Sequence, residues 1–314
     1  MTVMMRAVTQ SELGGIEVLR LVEVERPEPY YGEVLVKVHA ASMNPVDPAA
    51  REIGLYIGQP PFTLGWDVSG VVEQVGIGVT RFKVGDDVYG MPRFPHQAGA
   101  HAEYVTAPSR HFDHKPAGLS HVEAAAIPLT GLTAWQALIE HARLEAGQTV
   151  LVHAAAGGIG HLAVQIAKSV GARVIGTASA VNHDLVRGLG ADEVIDYRSV
   201  DFTEAVKDVD VALSTLPGDV AERSVSVVRD GGVLAQLHLS TRSRAFPEAV
   251  ERGIDTRFML VEPDLMGLRA LSGLVETRRL RVHVARTFRF EEFREAHAAM
   301  EAGGFAGKIV LRVV

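Results

Sequence analysis

The feature that most limits what this chain can fold into is a glycine turn inside LVHAAAGGIGHLAVQIAKSVGARVI, Leu151 to Ile175. An apolar run, Val150 to Ala154, reads as a strand, His161 to Val170 has the spacing of a helix, and Arg173 to Thr177 is a second apolar run. Ala154, Gly157 and Gly160 form an AxxGxxG turn between the first two, with Gly158 and Ile159 inside it. A small residue at 154 permits the tight turn, Gly157 lets a backbone close on a pyrophosphate, and Gly160 lets helix and strand pack closely, while free helical N–H groups face the phosphates. The order strand, turn, helix, strand makes this a dinucleotide-binding expectation rather than a helix-start turn alone.

The same rhythm continues downstream. Glu193 to Asp196, Val209 to Ser214, Val233 to Leu237 and Thr256 to Val261 read as further strands, separated by helical segments Asn182 to Leu189, Phe202 to Val206 and Asp219 to Arg229. Six strands in this pattern predict an α/β doubly wound parallel sheet of the Rossmann type. Before about Ser120 the texture is different: short β-branched runs at Glu33 to Ala40, Val68 to Val75, Asp87 to Tyr89 and Ala102 to Val105 predict a β-rich region. Pro108, Pro116 and Gly118 mark the expected linker. After Val261 a helix at Leu265 to Thr277, a strand at Val282 to Phe290, a helix at Glu291 to Ala302 and a strand at Lys308 to Val313 are expected to return to the first region.

A length of 314 residues favours two domains. With 47% hydrophobic and 22% charged residues the chain is globular rather than disordered. A net charge of -7 removes the electrostatic drive for nucleic acid, so no nucleic-acid partner is expected. The start, MTVMMRAVTQ, lacks the apolar core of a signal peptide, and a cytoplasmic location is expected. Val150 to Ala167 is apolar but carries His153, His161 and Gln165 around a glycine pair, so no membrane span is expected either. There is no cysteine, which removes thiolate catalysis, disulfides and Cys-ligated zinc together. The pairs His111/His114 and His96/His101 have no third plausible ligand, so no metal site is expected.

The end of the second strand of the doubly wound region decides between coenzymes. An acidic residue there grips the ribose hydroxyls of NAD, whereas this chain has Gly176-Thr177-Ala178-Ser179. Ser179 can donate to a 2′-phosphate, and Asn182, His183, Arg187 and Tyr197 supply further donors, so NADPH is the expected cofactor. The other reading is that these residues cap the next helix.

Several stretches together resemble the zinc-independent quinone oxidoreductase branch of the medium-chain dehydrogenase/reductase superfamily: ASMNPVD (Ala41 to Asp47), LGWDVSGVVEQVG (Leu64 to Gly76), VGDDVYG (Val84 to Gly90), AEYV (Ala102 to Val105), PLTGLTAWQAL (Pro128 to Leu138), LGADEVIDYR (Leu189 to Arg198), GKIVLRV (Gly307 to Val313) and the glycine turn. The resemblance implies a GroES-like β-rich catalytic domain over 1–123, completed by 263–314, a Rossmann domain over 124–262, and an active-site cleft at their junction. Zinc-dependent members carry a Cys near the position of Met43 and Gly-His-Glu where this chain has Gly65-Trp66-Asp67.

The resemblance also implies roles. Asn44 is carried over as a catalytic residue beside nicotinamide and substrate, or a turn cap, and Tyr56 as a pocket-lining tyrosine and candidate acid. Trp66 and Thr130 are assigned to the substrate pocket, with packing the alternative for Trp66. Thr133 and Lys308 are placed with the cofactor-binding set of the glycine turn. Without a Lewis acid, hydride delivery to an already electron-poor quinone or α,β-unsaturated carbonyl is the expected chemistry. An enoyl-thioester reductase and an NADPH-binding structural or regulatory protein without turnover are the competing readings. A homodimer is expected by resemblance, through edge pairing of Thr256 to Val261, where Phe258, Met259 and Leu260 suit an interface, or else serve the core.

Overall fold

A computed structural model describes residues 2–238 and 246–314. The chain divides into two compact units, one made of Met1–Leu132, Glu262–Glu276 and Val282–Val314, the other of Thr133–Val261 and Thr277–Arg281.

In the second unit five strands lie in the order Glu193–Asp196, Arg173–Ala178, Thr149–Val152, Val209–Ser214, Val228–Gln236, and every pair is parallel. Numbered along the chain this is 3-2-1-4-5, the doubly wound order, which reverses beside Thr149–Val152. Short apolar runs such as Val150-Leu151-Val152 fit because a sheet of this kind is covered on both faces. Leu151, Ile175, Phe202, Val209, Leu234 and Phe246 belong to the resulting core. Among the described residues no helix is long and apolar enough to cross a membrane, and the apolar stretch around residues 150–167 resolves into the Thr149–Val152 strand, the turn and the Gly160–Ser169 helix.

Two expectations need correction here. Thr256–Val261 is not a sixth strand: only the parallel bridges Val233 to Asp255 and Gln236 to Phe258 form. The helix expected over 219–229 is shorter, Val220–Val225, because the chain turns early and the last strand begins at Val228.

The first unit is β-rich. Its larger sheet has seven strands, six of them in the order Val284–Arg289, Lys308–Arg312, Glu33–Ser42, Asp67–Val75, Asp87–Gly90, Phe112–His114, with Tyr104–Pro108 also on Glu33–Ser42. A smaller sheet joins Arg20–Glu25, Met4–Gln10 and Phe62–Thr63. The stretch expected as a linker therefore lies inside this unit, since Pro108 pairs with Glu33 and Phe112 with Gly90. Glu33–Ser42 is the central ladder, and its C-terminal end sets up the site: Ser42 pairs with Asp67 on one side and Val310 on the other.

Candidate functional site

That register fixes a buried polar cluster. Two residues beyond Ser42 lies Asn44, and two before Val310 lies Lys308, so the ladder brings both to Asp67. Asn44 Nδ2 donates to Asp67 Oδ2 at 2.8 Å, Ser42 Oγ to the same oxygen at 2.7 Å, and the Leu129 amide to Asp67 Oδ1 at 2.7 Å. Lys308 Nζ donates to Asn44 Oδ1, to the Met43 carbonyl at 3.0 Å, and stands 3.4 Å from Asp67 Oδ2. Asn44, Asp47 and Asp67 are wholly buried and Lys308 nearly so. The Asn44 amide is thus held at both ends, its oxygen by an ammonium and its nitrogen by a carboxylate.

Asp47 closes the turn before the Val46–Ile53 helix, its Oδ2 accepting from the Asn44 amide at 2.7 Å. Burial pushes its carboxyl up to about 7, the Asp67 charge acts in the same direction, and the Asn44 amide, Lys308 and the Gly65 amide oppose it. Burial lowers Lys308, against the pull of Asp67 and Asp47. Asp67 reaches its place through Gly65, whose φ is +95° and where a Cβ would come within 2.5 Å of the His101 ring and 2.8 Å of its amide nitrogen. Only glycine lets this turn lie so close to Ala100 and His101.

Tyr56 and Trp66 meet through a residue the sequence reading passed over. The Phe94 ring stands edge-on to Tyr56 at 5.7 Å and to Trp66 at 5.6 Å. Trp66 is buried and its Nε1 donates to the His96 carbonyl at 2.7 Å, while Tyr56 is half-buried on a left-handed backbone of φ 69°. Thr130 is buried, its hydroxyl donating back to the Ala126 carbonyl at 3.3 Å, and Thr133 is buried in the same Pro128–Trp135 helix.

The glycine turn sits at the carboxyl end of Thr149–Val152, where a doubly wound sheet binds its ligand. A Cβ on Gly160 would lie 2.2 Å from the Ala154 carbonyl oxygen and 2.7 Å from Ala155 Cα, so the helix can start this close to the strand only with glycine there. Ala154 carries a positive φ of 49°, and the Gly157 amide closes the turn on the Ala154 carbonyl at 2.8 Å. Gly157, Gly158 and Ile159 are half-exposed; the His161 amide donates to the Gly157 carbonyl at 3.0 Å and the Leu162 and Ala163 amides to the Ile159 carbonyl, so among the described residues the amides of the turn without a backbone acceptor are those of Gly158, Ile159 and Gly160.

Beside the turn opens a cleft of about 550 Å³ lined by Ala154, Thr177, Tyr197, Arg198, Phe202 and Arg223 among others, a volume suited to a small-molecule ligand. It brings Tyr197 to Ala154 but does not include Ser179, Asn182 or His183 in its lining. Those three form a neighbouring group at the end of Arg173–Ala178: Asn182 Nδ2 donates to Ser179 Oγ at 3.3 Å, and His183 Nε2 lies 3.3 Å from the Ala178 carbonyl. Neither Ser179 nor Asn182 makes a side-chain hydrogen bond to the start of the helical segment it precedes. Arg187 is exposed beside Asp184 at 3.6 Å.

Arg198 and Arg223 were not singled out from the sequence. Arg198 follows Tyr197, which it covers at 5.8 Å from the ring centre, and was within reach of a reading that asked which cations adjoin the third strand. Arg223 is brought in only by the fold; it pairs with Asp201 at 2.5 Å and lies over Phe202. Under the cleft His153 is buried between Thr177 Oγ1 at 3.3 Å and Ser224 Oγ at 2.9 Å, and burial, aided by Arg223, lowers its imidazole to about 4. Among the described residues no group of three His, Asp or Glu side chains is placed to hold a metal ion.

Residues 30–117 match the alcohol dehydrogenase GroES-like domain, and residues 189–311 match the zinc-binding dehydrogenase family. The quinone oxidoreductase of Pongo abelii is 33% identical over 325 residues, covering 98% of both chains. The chain belongs to the quinone oxidoreductase branch of the medium-chain dehydrogenase/reductase superfamily. It is therefore an oxidoreductase of the NAD(P)H-using kind, with the β-rich unit GroES-like and the parallel sheet Rossmann. The structure of the quinone oxidoreductase from Coxiella burnetii, 35% identical, superposes with a TM-score of 0.93 over 99% of this chain and 100% of that one. A 2-methylene-furan-3-one reductase of Solanum lycopersicum is 32% identical over 323 residues, covering 99% of this chain and 79% of the relative.

Proposed function

We propose that this protein uses NADPH to reduce a quinone or an α,β-unsaturated carbonyl without zinc. The observation that carries the reading is the turn at Ala154, Gly157 and Gly160 at the reversal of strand order, with Ser179 rather than a carboxylate at the end of the second strand. The turn fits a dinucleotide: the Gly160 cradle admits no Cβ, half-exposed backbone lies at a helix start, and the cleft beside it offers Tyr197 and two arginines.

When bound, the reduced nicotinamide supplies a hydride. The amides of Gly158, Ile159 and Gly160 would hold the diphosphate while Gly157 closes the turn, and Ser179, Asn182, His183 and Tyr197, with Arg198, would favour the coenzyme that carries a 2′-phosphate. Thr133 contributes on the nicotinamide side. Hydride transfer builds negative charge on the acceptor oxygen, which calls for hydrogen-bond donors and a proton. Tyr56, half-buried against Phe94, is the candidate proton donor through its hydroxyl. Trp66 and Thr130 shape the substrate side, and Asn44, fixed between Lys308 and Asp67, orients the start of the Val46–Ile53 helix, which Tyr56 follows.

The absence of zinc is supported by the residues themselves: no cysteine exists, and Met43 and Trp66 stand where the resembled zinc enzymes carry Cys and His. Self-association through Thr256 to Val261 belongs to the same reading, since Leu260 is exposed and Phe258 adds a bridge at the sheet edge.

The test is NADPH and NADH oxidation against a panel of quinones, 2-alkenals, enones and enoyl thioesters, with metal content measured on the same preparation. Turnover of a quinone or enone with NADPH preferred is expected. Tight NADPH binding with silence across the panel would favour a non-enzymatic role, activity confined to thioesters an enoyl reductase, and stoichiometric zinc would overturn the metal-free site.

A further inference from the structure

The far end of the Glu33–Ser42 strand holds a second pocket that shares no residue with the Asn44 cluster or the glycine turn. Ten residues of strand at about 3.3 Å each separate it from Asn44 by about 30 Å. It encloses about 320 Å³, and Tyr31, Thr80, Arg81, Ser109 and Arg110 are among the residues that line it.

Its charge is unbalanced. Arg81 Nη2 reaches Asp113 Oδ1 at 3.1 Å, and Arg269 Nε approaches the same oxygen at 3.8 Å. Arg110 is exposed and has no ion pair among the described residues. The nearby Glu33 carboxylate is taken by Arg93 and by the Tyr30 amide. Among the described residues Asp113 is thus shared by Arg81 and Arg269, and Arg110, which lines the pocket with Arg81, has no carboxylate of its own. Burial lowers the Arg81 pKa, and Arg269 and Arg110 push the same way against Asp113.

The hydrogen bonding is incomplete too. Arg81 Nε and Nη1 are out of reach of water and have no acceptor. Buried donors left in this state are costly, and an anion brought close to the guanidinium offsets part of that cost through charge alone. Tyr31 in the lining and its neighbour Tyr30 are 63% and 70% exposed. The two tyrosine rings meet edge to face at 4.8 Å, which gives the pocket an exposed aromatic edge.

We propose that this pocket binds a small organic phosphate, with the dianion between Arg81 and Arg110 and the apolar body against Tyr31. A phosphate monoester carries up to two negative charges at neutral pH and offers three acceptor oxygens to the arginines and the Thr80 and Ser109 hydroxyls.

Phenyl phosphate is the probe, titrated calorimetrically into the whole protein at low ionic strength, with benzoate as the monoanionic comparison. One saturable site is expected, tighter for phenyl phosphate than for benzoate and weakened about tenfold or more by Arg110→Ala, the loss of one charge-assisted contact. Arg81→Met should remove binding; because Arg81 is partly buried, the exposed Arg110→Ala carries the test should that variant unfold. No saturable heat, equal binding by Arg110→Ala, or Arg110-dependent sedimentation with phosphatidylserine vesicles in place of phenyl phosphate binding would overturn the proposal.

Discussion

The two units handle polar groups in opposite ways. Around Asn44 the hydrogen-bonding groups are turned on one another: Lys308 on Asn44, Asn44 and Ser42 on Asp67, Asp47 on the Asn44 amide, all sealed from water. Around the glycine turn the backbone is half-exposed, and the adjoining cleft carries an arginine, Arg198, with no ion pair among the described residues. The first arrangement stabilises a geometry, and the second leaves donors free for something that is not protein. A cluster rich in charged side chains is thus no better sign of a ligand than a stretch of small residues that carries none.

The sharpest way to break this contrast is Lys308→Met. It leaves Asp67 buried without its cation, and a loss of about 3–5 kcal/mol in urea unfolding is expected. A loss near zero would mean the cluster is looser than its distances. Asp47 gives the next largest effect, through pH. Its folded pKa of about 7 lies above the unfolded value near 3.8, so its contribution is complete below pH 3.8 and is lost as pH rises toward 7. The stability of the wild type relative to Asp47→Asn should therefore fall by roughly 2–4 kcal/mol across that window and stay level above it. Taking the difference cancels the buried histidines His101 and His153, whose pKa values near 4 act in the opposite direction.

In the other unit Gly160→Val forces a Cβ into the Ala154 backbone, with an expected cost of about 1–3 kcal/mol by denaturation and a loss of NADPH affinity well beyond what that cost implies. Retained affinity would remove the turn from the coenzyme site. Ser179→Asp should be nearly neutral for stability but shift the NADPH to NADH affinity ratio by about tenfold or more, the size of one charge-assisted hydrogen bond. Equal effects on both coenzymes would remove the 2′-phosphate argument.

The strands of the parallel sheet were legible because each is a local apolar run: Glu193–Asp196 and Val209–Ser214 fall where the pattern puts them. The sixth was not, because Thr256 to Val261 is apolar enough for a strand yet makes a single bridge, at Phe258, after one at Asp255, and nothing in its own residues shows that its neighbour stops pairing. Trp66 and Tyr56 could be named from motifs, but not Phe94, which joins them from thirty or so positions away.

What the sequence determined by itself is whatever depends on chain-local chemistry: small residues at 154, 157 and 160, no carboxylate at 179, no cysteine anywhere. What only the tertiary structure decided is which side chains are spent on each other. Lys308 and Asn44 lie 264 positions apart, and it is the antiparallel register of Ser42 with Asp67 and Val310 that makes them partners. Spacing along a chain fixes a turn because its atoms are covalently near, whereas a buried ion pair exists only after the sheet has brought distant residues together and removed the water between them.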